Sequence, residues 1–251
     1  MHVDLALLLT GAVVAGFVQG LSGFAFSMVS MSFWAWGLEP GVAMVLAVFG
    51  GLTGQLMAAF TTGGRKLNLA TLLPFLAGGI TGIPLGVALL PHLNPLWFKV
   101  GLGLMLACWC PLMLFANRIP RIESGGRLAD GAVGMVGGLM GALGGFCGVA
   151  PTLWCTLRGY DKQLQRAVIQ NFNLAALTVT MAIYVGTGAV TSSMLPLFAI
   201  MVPALLIPTL LGSRLYTGLS DLAFRRVVLS LLTASGIAML AAALPPLWHG
   251  H

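Results

Sequence analysis

The sequence predicts an all-α polytopic membrane protein built as an inverted repeat of two halves, each a glycine-broken helical hairpin plus three transmembrane helices. Three observations carry this: the composition, the lengths of the apolar segments and the placement of the basic residues. Of 251 residues, 58% are hydrophobic and only 7% are charged, against about 25% charged in a typical soluble domain. Mean hydropathy is +0.98, and a soluble chain of this size has no way to cover its surface with so few polar groups.

In order along the chain, the N-terminal "MHVDLALLLTG" carries no Lys or Arg before its apolar run. It lacks the charged region of a cleaved secretory signal and reads as retained structure. The first element, 5–36, is apolar for about 30 residues, which as one straight helix is about 45 Å, too long for a hydrocarbon core of about 30 Å. It is interrupted by "QGLSGF" at 19–24. Segments of spanning length follow at 41–61, 68–90 and 96–116. The second long stretch, 128–157, is interrupted by "LGGFCG" at 143–148, inside a run "GGLMGALGGFCGVAP" at 137–151 that holds six glycines. Each glycine lowers helix stability by roughly 1 kcal/mol relative to alanine, so the run weakens a helix where hydropathy is most membrane-like. Three more spans complete the chain at 167–187, 195–213 and 226–244, the last ending before Pro245 and Pro246.

Each long stretch is either a broken spanning helix or a hairpin that returns to the side it came from, and the basic residues choose between these. With eight crossings, Arg65, Lys66, Arg118, Arg121 and Arg127 fall on one side, and Lys99, Arg158, Lys162, Arg166, Arg214, Arg225 and Arg226 on the other, five against seven. With two hairpins, all except Lys99 share one side, eleven against one. A bias of that size is what the positive-inside rule demands. The expectation is therefore six full spans and two hairpins, with both termini outside the cytoplasm in a cell inner membrane. The halves are 1–121 and 122–251, entered from opposite sides. A weak internal match accompanies this: "SGF" at 22–24 aligns with "GGF" at 144–146, and "GAV" at 11–13 recurs at 131–133.

Interrupted helices in inverted repeats meet near the midplane, where half-helix N-termini point N–H groups and positive dipole ends at an anion. The second arms are expected to begin near Ser22 to Phe24 and near Phe146 to Ala150. For a single glycine, close helix packing is the better account. Two breaks at matching positions favour a site, because non-helical backbone at that depth is tolerated only in protein or along a cavity. The intramembrane amides are few, and a buried amide is costly unless bonded. Gln19 either bridges helices or lines a cavity, and Gln55 suits an interhelical bond. At about 100° per residue, Gln170, Asn171 and Asn173 cannot all reach one neighbour, so at least one faces water or substrate. The candidate binding set is Gln19, Ser22, Gly23, Phe24, Gly144, Gly145, Phe146, Cys147, Gly148, Gln170, Asn171 and Asn173.

Other functions are excluded in turn. All six acidic residues and all four histidines lie at segment ends or in loops, which leaves proton relay through a buried carboxylate unsupported and favours anions over cations. Export of an anion from a negative interior is driven by about 2.3 kcal/mol per charge per 100 mV. Neither the dinucleotide fingerprint nor the P-loop is present, no Ser/His/Asp or HExxH set exists, and no cofactor, catalytic residue or metal site is expected. "CWC" puts Cys108 and Cys110 on nearly opposite helix faces, so they pair neither with each other nor through zinc, and buried thiols are the reading for these and for Cys147 and Cys155. The basic residues are scattered and encode orientation, not a nucleic-acid surface. Trp34, Trp36, Trp97 and Trp248 sit near segment ends, as in an interfacial belt.

"GFVQGLSGFAFSM" and "GLMGALGGFCGVAPTLW", with Pro151 after the second break, resemble the paired signature of the sulfite exporter TauE/SafE family. The resemblance covers nearly the whole chain and implies a secondary transporter of a small sulfur-containing anion, sulfite or an organosulfonate, working by alternating access. Where members often carry an uninterrupted glycine triplet, this chain reads Gly144, Gly145, Phe146, Cys147, Gly148. Phe146 and Cys147 make that region more apolar and bring a larger organosulfonate into contention with sulfite. The expected partners are the small anion and the lipid bilayer, with the oligomeric state open between monomer and homodimer. The alternatives are transport of a small carboxylate and a non-transporting membrane scaffold or assembly factor.

Overall fold

Asp4 starts the first helix by accepting hydrogen bonds from Ala6 N and Leu7 N at 3.0 and 3.2 Å in the computed structural model, which describes residues 4–61, 69–116, 119–122, 124–215 and 221–248. Arg65, Lys66 and Arg118, which enter the charge argument, lie outside the described residues. Helix α1 (Leu5–Ser22) stops at Gly23, whose φ of 83° is left-handed and whose N–H donates to Gln19 O at 2.7 Å. Such a conformation favours glycine, which has no Cβ to clash. Helix α2 (Phe26–Trp34) then runs back along α1. At the tip Phe26 N donates to Gln19 Oε1 at 3.0 Å, and at the base Trp34 Nε1 donates to Leu8 O at 3.2 Å. Two bonds so placed close a hairpin. Trp34 is therefore fully buried, not interfacial as expected, whereas Trp36 and Trp97 are exposed.

Helix α3 (Pro40–Thr61), α4 (Leu69–Leu89) and α5 (Pro95–Phe115) follow, in close agreement with the expected spans. The second break behaves like the first. Helix α6 (Gly126–Ala142) ends in Gly144 and Gly145, the latter at φ 80° with its N–H donating to Gly141 O at 2.7 Å. Helix α7 (Val149–Leu157) returns along α6, its Trp154 Nε1 donating to Asp130 Oδ1 at 2.7 Å near the base. Both breaks are hairpin tips.

The remaining helices are α8 (Lys162–Gly186), α9 (Leu195–Leu215) and α10 (Asp221–Trp248). Two boundaries need correction. Helix α8 starts at Lys162 rather than 167, because the Asp161 carboxylate caps Gln163 N and Leu164 N at 2.9 Å each; Lys162 and Arg166 thus belong to the helix. Helix α10 continues through Pro245 and Pro246. Proline inside apolar helices is tolerated, as Pro74, Pro84, Pro111, Pro203 and Pro208 within α4, α5 and α9 also show.

Among the described residues seven helices are long and apolar enough to cross a membrane, one more than the six spans expected. The seventh is α1, 18 residues and about 27 Å long. It reaches that length as the first arm of the hairpin that turns at Gly23. Large apolar side chains such as Phe60, Ile80, Ile207 and Leu231 are exposed outward, while Gln19, Gln55 and Asn173 are buried within. That arrangement suits a lipid surround.

Pairings between the halves are reciprocal. Helix α1 packs on α9, and α6 packs on α4; α3 packs on α8, and α5 on α10. In the first pair Gly16 meets Leu205 and Gly20 meets Thr209; in the second Gly78 meets Gly131 and Gly82 meets Met135. Both pairs are parallel, since numbers rise together. A Cβ on Gly20 or Gly82 would overlap the facing carbonyl, so glycine sets the interhelical distance at both.

Candidate functional site

Around the first hairpin tip lies a cavity of about 460 Å³. Its floor is Ser22, Gly23, Phe24 and Ala25. Helix α8 brings Lys162, Arg166 and Gln170, spaced by four residues and hence on one helix face. Arg121 comes from the segment before α6, Thr152 and Thr156 from α7, and Trp109 and Met113 from α5. Among the described residues no Asp or Glu lines it.

The tip is shaped from within the first half. The Gly23 carbonyl accepts from Gln55 Nε2 at 2.8 Å and from Gln19 Nε2 at 3.5 Å. Ser22 Oγ accepts from Phe24 N and Ala25 N at 3.4 and 3.2 Å, and Gln19 Oε1 takes Phe26 N. The backbone N–H groups of Phe24, Ala25 and Phe26 are thus engaged inside the hairpin. Positive charge beside the tip comes from side chains of the other half: a Cβ on Gly23 would stand 3.3 Å from Gln170 Nε2 and 3.8 Å from Arg166 Nη2.

The sequence-selected residues separate into two groups. Ser22, Gly23, Phe24 and Gln170 line the cavity. Gln19 is buried beneath it as the tip's bracket, and Asn171 Nδ2 turns back to Ala167 O at 2.8 Å on its own helix. The second tip lies elsewhere, under α2 and α3. A Cβ on Gly144 would be 3.0 Å from Met31 Cε, and one on Gly145 would be 3.3 Å from Ala47 O and would collide with Ser27 Oγ. Phe146 and Cys147 are buried there at 5% and 1% exposure. Gly148 faces the Asn173 amide, whose Oδ1 has no hydrogen-bond partner. The three amides of "QNFN" thus go to three different places.

Sequence reasoning missed Arg121, Thr152, Lys162, Gln165 and Arg166, all in the cavity wall. The basic ones were absorbed by the topology argument, although the four-residue spacing of Lys162, Arg166 and Gln170 was a readable signal. Tyr160 also lines the cavity. Burial and then the Asp130 carboxylate push its hydroxyl above the ordinary value, offset in part by a hydrogen bond to Arg158, so it is neutral at physiological pH and able to donate. Asp130 itself, grouped above with the peripheral acids, is buried at 5% exposure against Trp154. The four cysteines carry no disulfide, and Cys108 is exposed where a buried thiol was expected. No group of three His, Cys, Asp or Glu among the described residues is placed to hold a metal ion.

Comparison with curated proteins and with solved structures found no match. The family model described as Sulfite exporter TauE/SafE matches residues 7–239, a range that takes in both hairpin tips and every residue of the cavity. The chain therefore belongs to the TauE/SafE sulfite exporter family of membrane transporters.

Proposed function

We propose that this protein is an alternating-access secondary transporter that exports a small sulfur-containing anion, sulfite or an organosulfonate, across the cell inner membrane. One observation carries the reading: a cavity with Arg121, Lys162 and Arg166 in its wall and, among the described residues, no carboxylate. In a partly water-excluded space, such an excess of positive groups attracts anions far more strongly than in bulk water. The dipole of α2 adds to it from the first tip.

The reciprocal pairings, α1 with α9 and α6 with α4, support an inverted repeat with halves 1–121 and 122–251. On this reading the cavity opens to the cytoplasm, since its basic residues belong to the positive side, and both termini lie outside. The first tip has a cavity, while Ser27 and Ala47 cover the second. Exchange of the two arrangements would open the opposite face. The bilayer and the small anion are the partners this reading requires, with no nucleic acid and no cofactor.

The test is uptake of radiolabelled sulfite and methanesulfonate into liposomes carrying the purified protein. Uptake is expected to be saturable and to fall about tenfold or more in Arg166→Gln, the range for losing a charged hydrogen bond. Arg166→Lys is expected to retain part of it. Liposomes that take up neither anion would favour a scaffold, and selective uptake of acetate or malonate would favour a carboxylate carrier.

A further inference from the structure

The two hairpin tips differ in where their backbone N–H groups go. At the first, Phe24 N, Ala25 N and Phe26 N are taken by Ser22 Oγ and Gln19 Oε1. At the second, no side chain caps α7, whose N-cap is Gly148. Val149 N turns back to Phe146 O at 3.1 Å and Pro151 has no N–H, so Gly148 N and Ala150 N are the donors left at the head of the helix. Among the described residues neither has an oxygen acceptor, and Gly148 N meets only the weakly accepting Cys147 thiol.

A second observation comes from α8. Asn173 is buried at 2% exposure, and its Oδ1 has no hydrogen-bond partner. Its amide is aimed at the head of α7: a Cβ on Gly148 would stand 2.9 Å from Nδ2 and 3.1 Å from Oδ1. Buried polar side chains are rarely left unbonded. No bond among the described residues holds this amide in either sense, so its N–H groups can turn to an acceptor lying against α7.

Position sets this place apart from the cavity at the first tip. Thr152, whose Oγ1 is also without a partner, lines that cavity from α7, and Ile169 lines it from α8. Gly148 precedes Thr152 by four residues and Asn173 follows Ile169 by four, which puts both one helical turn deeper, about 5.4 Å. None of Cys147, Gly148, Ala150 and Asn173 lines the cavity.

Charge and space decide which ligand fits. A helix N-terminus favours an anion. The side chains that meet the tip here, Cys147, Pro151, Phe172 and Asn173, are uncharged. Because the cost of burying an ion rises with the square of its charge, neutral donors alone suit a monovalent ion and not a dianion. The close approach of the amide to Gly148 leaves room between them for a single atom, not for a pyramidal or tetrahedral oxyanion. We infer that the head of α7 and Asn173 bind one halide ion, chloride in the cell. It accepts from Gly148 N, Ala150 N and Asn173 Nδ2 and holds the second tip against α8. Lying outside the cavity, it is a second ligand and not the transported anion.

The test is equilibrium binding of radiolabelled chloride to the purified full-length protein by scintillation proximity, in chloride-free gluconate buffer with unlabelled bromide as competitor. Wild type is expected to bind the label saturably and to release it to bromide. Asn173→Asp keeps the size of the side chain but sets a carboxylate at the site, and is expected to abolish binding. Asn173→Leu is expected to weaken it about tenfold or more. Arg166→Gln, which strips the first cavity of a charge, is expected to keep wild-type affinity. Thermal unfolding of each variant checks that it is folded, and the wild-type midpoint is expected to rise with chloride. In crystals of the wild type soaked in bromide, the anomalous peak is expected beside Gly148 and Asn173. Absence of saturable binding to the wild type overturns the inference. So does a bromide peak confined to Arg121, Lys162 and Arg166, or binding lost in Arg166→Gln and kept in Asn173→Asp, since either result puts the halide in the first cavity. Uptake of sulfite into liposomes is measured separately, so the transport reading stands or falls on its own.

Discussion

Gln55 Nε2 donates a 2.8 Å hydrogen bond to the carbonyl oxygen of Gly23, 32 residues away in sequence. The acceptor belongs to the residue whose positive φ turns the first hairpin, so α3 grips the chain at its point of reversal. Replacing Gln55 with Leu removes the shorter of the two bonds to a buried carbonyl. The expected loss is about 1–3 kcal/mol, seen as a lower midpoint of thermal unfolding in detergent. Gly23→Ala forces a Cβ into a left-handed conformation, at about 1–2 kcal/mol, and brings it to 3.3 Å from Gln170 Nε2. Both variants are expected to lower anion uptake. Unchanged midpoints in both would mean that the tip is held by something else.

The second hairpin is fastened at its base by Trp154 Nε1 and the buried Asp130 carboxylate, 2.7 Å apart. Trp154→Phe leaves that carboxylate short of a donor and is expected to destabilise by about 1–3 kcal/mol. Asp130→Asn keeps an acceptor oxygen and is expected to do less. The double variant should fall short of the sum, with a coupling of about 0.5–3 kcal/mol. Strict additivity in denaturant or thermal unfolding would remove this pair as the hairpin's fastening.

The proposed topology puts the segments after the two hairpins on opposite sides of the membrane. Glu39, just after the first hairpin, and Gln163, just after the second, are both exposed. In a background with the four native cysteines replaced, Glu39→Cys is expected to react with an impermeant maleimide added outside intact cells. Gln163→Cys should react only after the membrane is opened. Labelling of both from one side would end the inverted-repeat argument.

Hydropathy located 41–61, 68–90 and 96–116 within a residue or two of α3, α4 and α5, because lipid leaves the backbone no alternative to internally bonded helix. The same measure placed the start of α8 at 167, since Lys162, Gln165 and Arg166 depress hydropathy there, although the Asp161 cap begins the helix at Lys162. That single error hid three cavity residues, two of them as loop charges. Thr152 was invisible for a different reason. A threonine in a helix ordinarily bonds its own backbone, as Thr156 does to Thr152 O at 2.8 Å, and only the surroundings decide whether the hydroxyl is left over.

Local chemistry alone determined the membrane class, the apolar segments and the two breaks. Transfer free energy, helix propensity and loop charge are properties of each residue and its near neighbours. Which break opens onto a cavity was decided by tertiary structure. The two tips share their glycines and their left-handed turns, yet Gly23 faces Gln170 and Arg166 from the opposite half, while Gly145 faces Ser27 and Ala47. Those neighbours lie more than 90 residues away in sequence from the glycines they meet. Only the packing of one half against the other brings charge to the first tip and closes the second.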